Sequence, residues 1–285
     1  MNDITLDVSS PCWPFADDLK LVGSSRTRSL TQRDLDALCS WANAWDLPFN
    51  SQKCQHLVSS PPASQLVLSD GSGATHAIAH CNSVRDLGIQ VSADFKVAKQ
   101  CAAAAKKARW CLFQLKAAIS CKEVDVFIPL YCAFVRPHLE YCVQAWAPYL
   151  KKDVVLLEKV QRLATRMVKG TMGMTYDQRL SFCGLFSLER RRLRGDLLEV
   201  YRLVRSDSSI PNRDLVRPLP ESCTRGHEFR LEKPRARLDL RKFGFSHRVV
   251  GPWNKLPSEV VNAPSLDVFK KLLDAAWSGV FLHLQ

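Results

Sequence analysis

Residues 97–119 read VAKQCAAAAKKARWCLFQLKAAI, and this stretch decides the fold class. Counted from Lys99 at ~100° per residue, Val97, Cys101, Ala104, Ala108, Leu112, Leu115 and Ile119 gather within ~60° of one side of a helix. Lys96, Lys99, Lys106, Lys107, Arg109 and Lys116 lie within ~100° of the opposite side. The segment is therefore read as one long helix with a packing face and a cationic face. A solvated helix face commonly mixes Glu with Lys, whereas this one carries no acid. Such a face suits phosphate contact, with a merely solvated surface as the competing reading.

Outward from this helix the pattern differs on its two sides. Upstream, Thr31 to Trp45 reads as an amphipathic helix, with Thr31 as N-cap and Leu35, Leu38, Trp41, Ala42 and Trp45 at three- and four-residue steps. Leu47 to Val58 and Leu66 to Ile78 look strand-like, separated by Ser59-Ser60-Pro61-Pro62 and turned by Asp70-Gly71-Ser72-Gly73. A further hairpin runs through Leu87-Gly88-Ile89 to Phe95. Downstream, helices are expected at roughly 121–136, 151–169, 175–183 and 187–205, with Pro129 bending the first and Pro137 stopping it. Residues 207–223 read as a linker, Phe229 to Val250 as short strands alternating apolar and basic residues, and Ser265 as the cap of a last helix through Trp277. Trp253, Trp277, Phe243 and Phe245 are read as a small core, with a stacking platform as the alternative.

The 285 residues carry 40 Lys+Arg against 28 Asp+Glu, a formal net charge of +12. The charge is uneven: residues 1–95 hold 6 basic and 10 acidic groups, and the basic excess lies in the remainder. A basic majority joined to a slightly acidic first third suits a polyanionic partner, most often nucleic acid. At 46% hydrophobic the chain can bury a core, which argues against disorder along its whole length. No apolar run reaches 18 residues and MNDITLDVSS lacks a signal-peptide pattern, so an intracellular protein, cytoplasmic and/or nuclear, with no membrane partner is expected. The 11 cysteines include no CxxC pair and are read as reduced thiols. His76, His80 and Cys81 could ligate a metal, but their surroundings read as a loop.

The sharpest local feature is Phe15-Ala16-Asp17-Asp18-Leu19. Adjacent carboxylates repel each other, and a fold that holds two on one tight turn usually places cations between them and a substrate. The plainer reading is a surface turn.

In this context the stretch resembles polymerase motif C of the reverse transcriptases of non-LTR (LINE-like) retrotransposons. Trp41-Ala42 and Trp45 with Leu47, Phe49, Asn50, Lys53 and Cys54 resemble motif D, and Arg85-Asp86-Leu87-Gly88-Ile89-Gln90-Val91-Ser92 resembles motif E, the primer grip. Leu130-Tyr131 with Val135-Arg136-Pro137-His138-Leu139-Glu140-Tyr141, then Leu157-Glu158-Lys159-Val160-Gln161-Arg162, continue the likeness. Ser187-Leu188-Glu189, Arg194-Gly195-Asp196-Leu197, Phe245-Ser246-His247-Arg248 and Trp253-Asn254-Lys255-Leu256-Pro257 follow in family order.

The resemblance implies an α+β, predominantly helical fold. It comprises a partial polymerase palm sheet over 1–95, a helical thumb bundle over 96–206 and a small mixed C-terminal segment over 207–285. It implies two-metal nucleotidyl transfer onto a primer 3′-OH, with Asp17 and Asp18 binding Mg²⁺ and Lys53 near the triphosphate as a general acid. Leu87 and Gly88 would position the primer end. Lys96, Lys99, Lys106, Lys107, Arg109 and Lys116 would ride along the backbone of an RNA template with its DNA primer.

The family takes a further catalytic Asp from motif A, upstream of motif C, and only 14 residues precede Phe15. The sequence accordingly reads as the C-terminal portion of such an enzyme, without activity by itself. Pro14 is also out of keeping with a strand at 12–14. A non-catalytic basic nucleic-acid-binding module and an inert translated relic are the alternatives.

Overall fold

The computed structural model describes residues 3–24, 28–59, 65–71, 73–205, 215–219 and 226–280. The chain is helix-rich α+β and divides into two units, Met1–Lys96 and Val97–Gln285.

In the first unit, β1 (Cys12–Phe15) pairs antiparallel with β2 (Asp18–Leu21) around the Ala16-Asp17 turn. Pro14 lies inside β1, contrary to the expectation that 12–14 would not form a strand. Val22 N–H donates to Pro11 O at 2.9 Å, so hydrogen-bonded pairs alternate outward from Phe15 and Asp18. Pro14 opposite Leu19 then falls at a non-hydrogen-bonded position, where its missing N–H breaks no rung.

Helix α1 (Arg28–Ala44) starts earlier than Thr31. Thr31 is buried within it rather than capping it, because Gly23 passes so close that an added Cβ there would lie 2.2 Å from Thr31 Oγ1. Leu38, Cys39 and Ala42 are buried, and Cys39 forms a small core with Leu66, Leu68 and Ile78, against which Leu35, Phe49 and Cys54 pack. Trp45 lies past the helix end and is exposed, so the apolar stripe stops before it. Buried Asp34 accepts the Ser9 and Ser10 N–H groups, each at 2.9 Å, and fixes the preceding segment on α1.

The stretches expected as longer strands shorten to β3 (Gln55–Leu57), β4 (Val67–Ser69) and β5 (Thr75–Ala77), and a further strand outside them, β6 (Ala79–Cys81), follows. β4 turns back into β5 at Asp70, whose Oδ1 accepts Ala74 N–H at 2.9 Å, with Gly73 at a φ of 83°. Residues 60–62 and Ser72 of the expected loop and turn lie outside the described residues. β3 and β6 pair in parallel, opposing His56 to His80. His76 and His80 therefore sit on strands, not in a loop. β7 (Ser83–Asp86) and β8 (Ile89–Ser92) form a second tight hairpin around Leu87 and Gly88, at φ 44° and 86°.

In the second unit, α2 (Ala98–Ala118) falls within one residue of its expected ends, with Cys101, Ala104, Ala108, Leu112 and Leu115 buried. The helix expected over 121–136 is interrupted. α3 (Val124–Leu130) contains Pro129, which removes one ladder donor, and a π-helical turn follows over Tyr131–Val135. Pro137 opens the next turn, α4 (Pro137–Glu140), rather than stopping a helix, because a first-turn N–H needs no partner. α5 (Val143–Trp146), α6 (Lys151–Arg166), α7 (Tyr176–Phe182) and α8 (Leu188–Arg205) complete this region.

The expected strands over 229–250 are also corrected. Apart from a bridge between Pro218 and Leu231, this stretch and its continuation form the short helices α9 (Asp239–Lys242), α10 (Phe245–Arg248), α11 (Val250–Asn254) and α12 (Ser258–Val261). Apolar residues at 245, 249, 250 and 253 follow helical three- and four-residue steps, and that period prevails over the local alternation. α13 (Leu266–Val280) begins at Ser265, whose Oγ accepts Val268 N–H at 3.3 Å. Trp253, Phe269 and Leu273 are fully buried against Leu197, Val200 and Tyr201 of α8, so residues 226–280 share one core with that helix.

Candidate functional site

The acid pair sits at the end of the β1–β2 hairpin. Asp17 is the second turn residue and Asp18 the first residue of β2, and both are exposed. Ala16 holds a φ of 53°, a left-handed conformation that disfavours residues with a Cβ, so the tip keeps its shape against local strain. Lys20, two residues past Asp18, forms an ion pair with Asp86 at 2.6 Å. Asp86 closes the second hairpin immediately before Leu87 and Gly88. At ~3.3 Å per strand residue, Asp18 lies ~7 Å along β2 from that ion pair. One partly exposed ion pair thus links the two hairpins that carry Asp17, Asp18, Leu87 and Gly88.

Lys53 lies on the turn before β3, where its N–H donates to Asn50 O at 3.0 Å, and its side chain is exposed. Among the described residues no hydrogen bond or ion pair joins it to Asp17 or Asp18. Carboxylate oxygens are the donor type Mg²⁺ prefers, so Asp17 and Asp18 suit it chemically. They provide two side chains only: among the described residues no group of three or more His, Cys, Asp or Glu converges as a metal site.

The cationic residues are arranged along α2. Lys99, Lys106, Lys107, Arg109 and Lys116 are all exposed, and among the described residues none of the five is in an ion pair. Lys96, the last residue of the first unit, pairs with Asp94 at 3.6 Å. Two residues absent from the sequence-derived set share this face: Trp110 is 62% exposed and Phe113 47%. The helical wheel that located the lysines places these rings at ~20° and ~−40° from Lys99, so the signal was present.

The remaining residues of the family likeness hold the second unit together. Tyr131 OH donates to Gln161 Oε1 at 3.0 Å, and Gln161 Nε2 donates to Tyr176 OH at 3.1 Å and Phe186 O at 2.9 Å. Tyr176 OH donates in turn to Glu158, whose carboxylate also accepts Leu188 N–H at 3.2 Å. Burial and the Glu158 carboxylate push the Tyr176 phenol well above its ordinary range. Glu140 receives Arg191, and Asn254 bonds both backbone groups of Leu231 at 2.8 Å. Trp253 Nε1 donates to Phe229 O at 2.7 Å, which places that ring in the core rather than on a stacking surface. Burial also raises the Cys101 thiol to about 12, so it is inert as a nucleophile at neutral pH. Among the described residues no helix is long and apolar enough to cross a membrane.

No family model, curated protein or solved structure matches the chain.

Proposed function

We propose that the chain is the C-terminal portion of a retrotransposon-type RNA-directed DNA polymerase whose own contribution is to hold nucleic acid. The observation that carries this reading is the face of α2, where five exposed cations stand with no acid and no ion pair among the described residues. Phosphates supply the counter-charges such a face lacks. The polymerase assignment rests on the motif likeness, and the Lys20–Asp86 ion pair between the Asp17-Asp18 and Leu87-Gly88 hairpins is consistent with it.

In this reading Asp17 and Asp18 would hold Mg²⁺, which supplies activation of the attacking 3′-oxygen and stabilisation of the leaving pyrophosphate. Lys53 would protonate that leaving group. Leu87 and Gly88 would support the primer end, and Lys96 with the α2 cations would grip the template–primer backbone. The 285-residue polypeptide assayed by itself is expected not to extend a primer, because Asp17 and Asp18 provide only two of the ligands a two-metal site needs, with no third such group converging on them among the described residues.

The test is binding of a template–primer duplex by the full chain across a salt series. Affinity should fall steeply with salt, and Lys99→Gln, Lys106→Gln and Lys107→Gln together should flatten the log–log slope by about 3. Binding indifferent to both salt and these substitutions would refute the reading. The acid-free face equally favours a non-catalytic nucleic-acid-binding module, and Mg²⁺ binding by the full chain that disappears in Asp17→Asn would exclude that second reading.

A further inference from the structure

We propose that the exposed face of α2 takes a single-stranded segment of nucleic acid, with unpaired bases stacking on Trp110 and Phe113 and phosphates held by the surrounding cations. This rests on the nucleic-acid reading above and adds that the face, besides a duplex backbone held by its cations alone, takes an unpaired strand through its two rings.

Cations alone suffice to bind a duplex, whose base faces are hidden in its stack. Two large rings in the middle of the same face are surplus to that task. Trp110 and Phe113 are the large hydrophobic side chains that α2 leaves exposed, while its other side packs through Ala104, Ala108, Leu112 and Leu115. Lys106 projects between the two rings on the wheel, at ~−20°, and Lys107, Arg109 and Lys116 border them at ~80°, ~−80° and ~−100°. Ala102, Ala103 and Ala117 are exposed nearby and are too small to shield the rings. The rings are three residues apart, ~4.5 Å along the axis, a spacing that two neighbouring unstacked bases can follow.

A ring offers every base the same π surface, so stacking of this kind is tolerant of sequence. Charge selects the class of partner. An apolar protein surface would satisfy the rings but strand the cations, and an acidic protein would do the reverse. A single strand supplies phosphates and exposed base faces in alternation, matching both features of the helix.

The experiment uses the full chain with three probes: an oligo(dT) strand, a blunt duplex and heparin, which carries anionic charge but no bases. Trp110→Ala and Phe113→Ala should each weaken oligo(dT) binding about tenfold, and Trp110→Phe should restore most of the loss. Heparin affinity should stay within about twofold, because the cations are intact. Oligo(dT) should quench tryptophan fluorescence in the parent and much less in Trp110→Phe.

Unchanged oligo(dT) affinity in both alanine variants, with duplex and heparin still bound in a lysine-dependent manner, would overturn this inference and leave the proposed function standing. Failure of all three probes to bind would overturn both.

Discussion

Asp196→Ala should destabilise the second unit far more than the loss of one carboxylate on a surface would. Asp196 is 3% exposed and receives Arg248 in a two-pronged arrangement, Nε to Oδ2 at 2.8 Å and Nη2 to Oδ1 at 2.9 Å. Nη2 also donates to Gln144 O at 2.8 Å, so one guanidinium joins α8, α10 and α5. Removing one member of a buried pair costs about 3–5 kcal/mol, chiefly because the other charge stays buried without its partner. At ~2–4 °C per kcal/mol for a unit of this size, the melting temperature should fall by about 6–20 °C. Arg248→Met should cost a similar amount. Asp196→Leu combined with Arg248→Met removes both charges and should recover most of the loss, giving a coupling energy of several kcal/mol. Burial raises the Asp196 carboxyl, and Arg248 lowers it only in part. Keeping the acid ionised there thus works against folding, which is why the doubly apolar variant is expected to be tolerated. The assay is urea denaturation of each member of the cycle, followed by tryptophan fluorescence. Additive single effects, or a cost below about 1 kcal/mol for Asp196→Ala, would refute the reasoning.

Trp253→Ala should cost about 3–5 kcal/mol, since it empties a fully buried ring site and strands Phe229 O; a melting temperature unchanged by the substitution would contradict the packing described. Stability should decline as pH falls below about 6.5. His56, His138 and His227 are all held below the ordinary histidine value, first by burial, so the unfolded chain binds more protons than the folded one in that range. His227 contributes because its Nδ1 is buried without an acceptor, and thermal melts at pH 7.5 and 5.5 that coincide would count against this. Ala16→Gly should stabilise the first unit by up to about 1 kcal/mol, because glycine accepts the positive φ at the hairpin tip; measured destabilisation would show that the strain is absent.

The elements legible in the sequence are those where one period governs a long run. Twenty-one residues of α2 keep a 3.6-residue repeat, and its ends and buried positions followed from it. The hairpin at Leu87-Gly88 was legible from turn chemistry. Misread elements had causes outside their own windows. Thr31 is buried by Gly23 from a preceding segment, which no local capping rule registers. Sequence alone makes Pro137 a stop, because the π-helical turn before it, which resets the register, has no sequence signature. Residues 229–250 alternate apolar and basic side chains, yet the large core offered by α8 made helical turns the better way to bury Val249, Val250 and Trp253. At the candidate site the charged residues were legible because charge is counted directly. Trp110 and Phe113 are not legible in the same way, because an aromatic residue inside an amphipathic helix ordinarily belongs to the packing side.

The start of α8 is divided between two parts of the chain. Ser187 serves the Arg190 N–H through its own hydroxyl at 3.2 Å, while the Leu188 N–H is served by Glu158 of α6. The order of events in folding is thereby constrained. A peptide covering α8 alone keeps the Ser187 cap, but its first N–H is answered only by water until α6 arrives. The opening turn of α8 is therefore expected to become fixed late, as the two helices dock, while the middle of the helix forms on its own schedule.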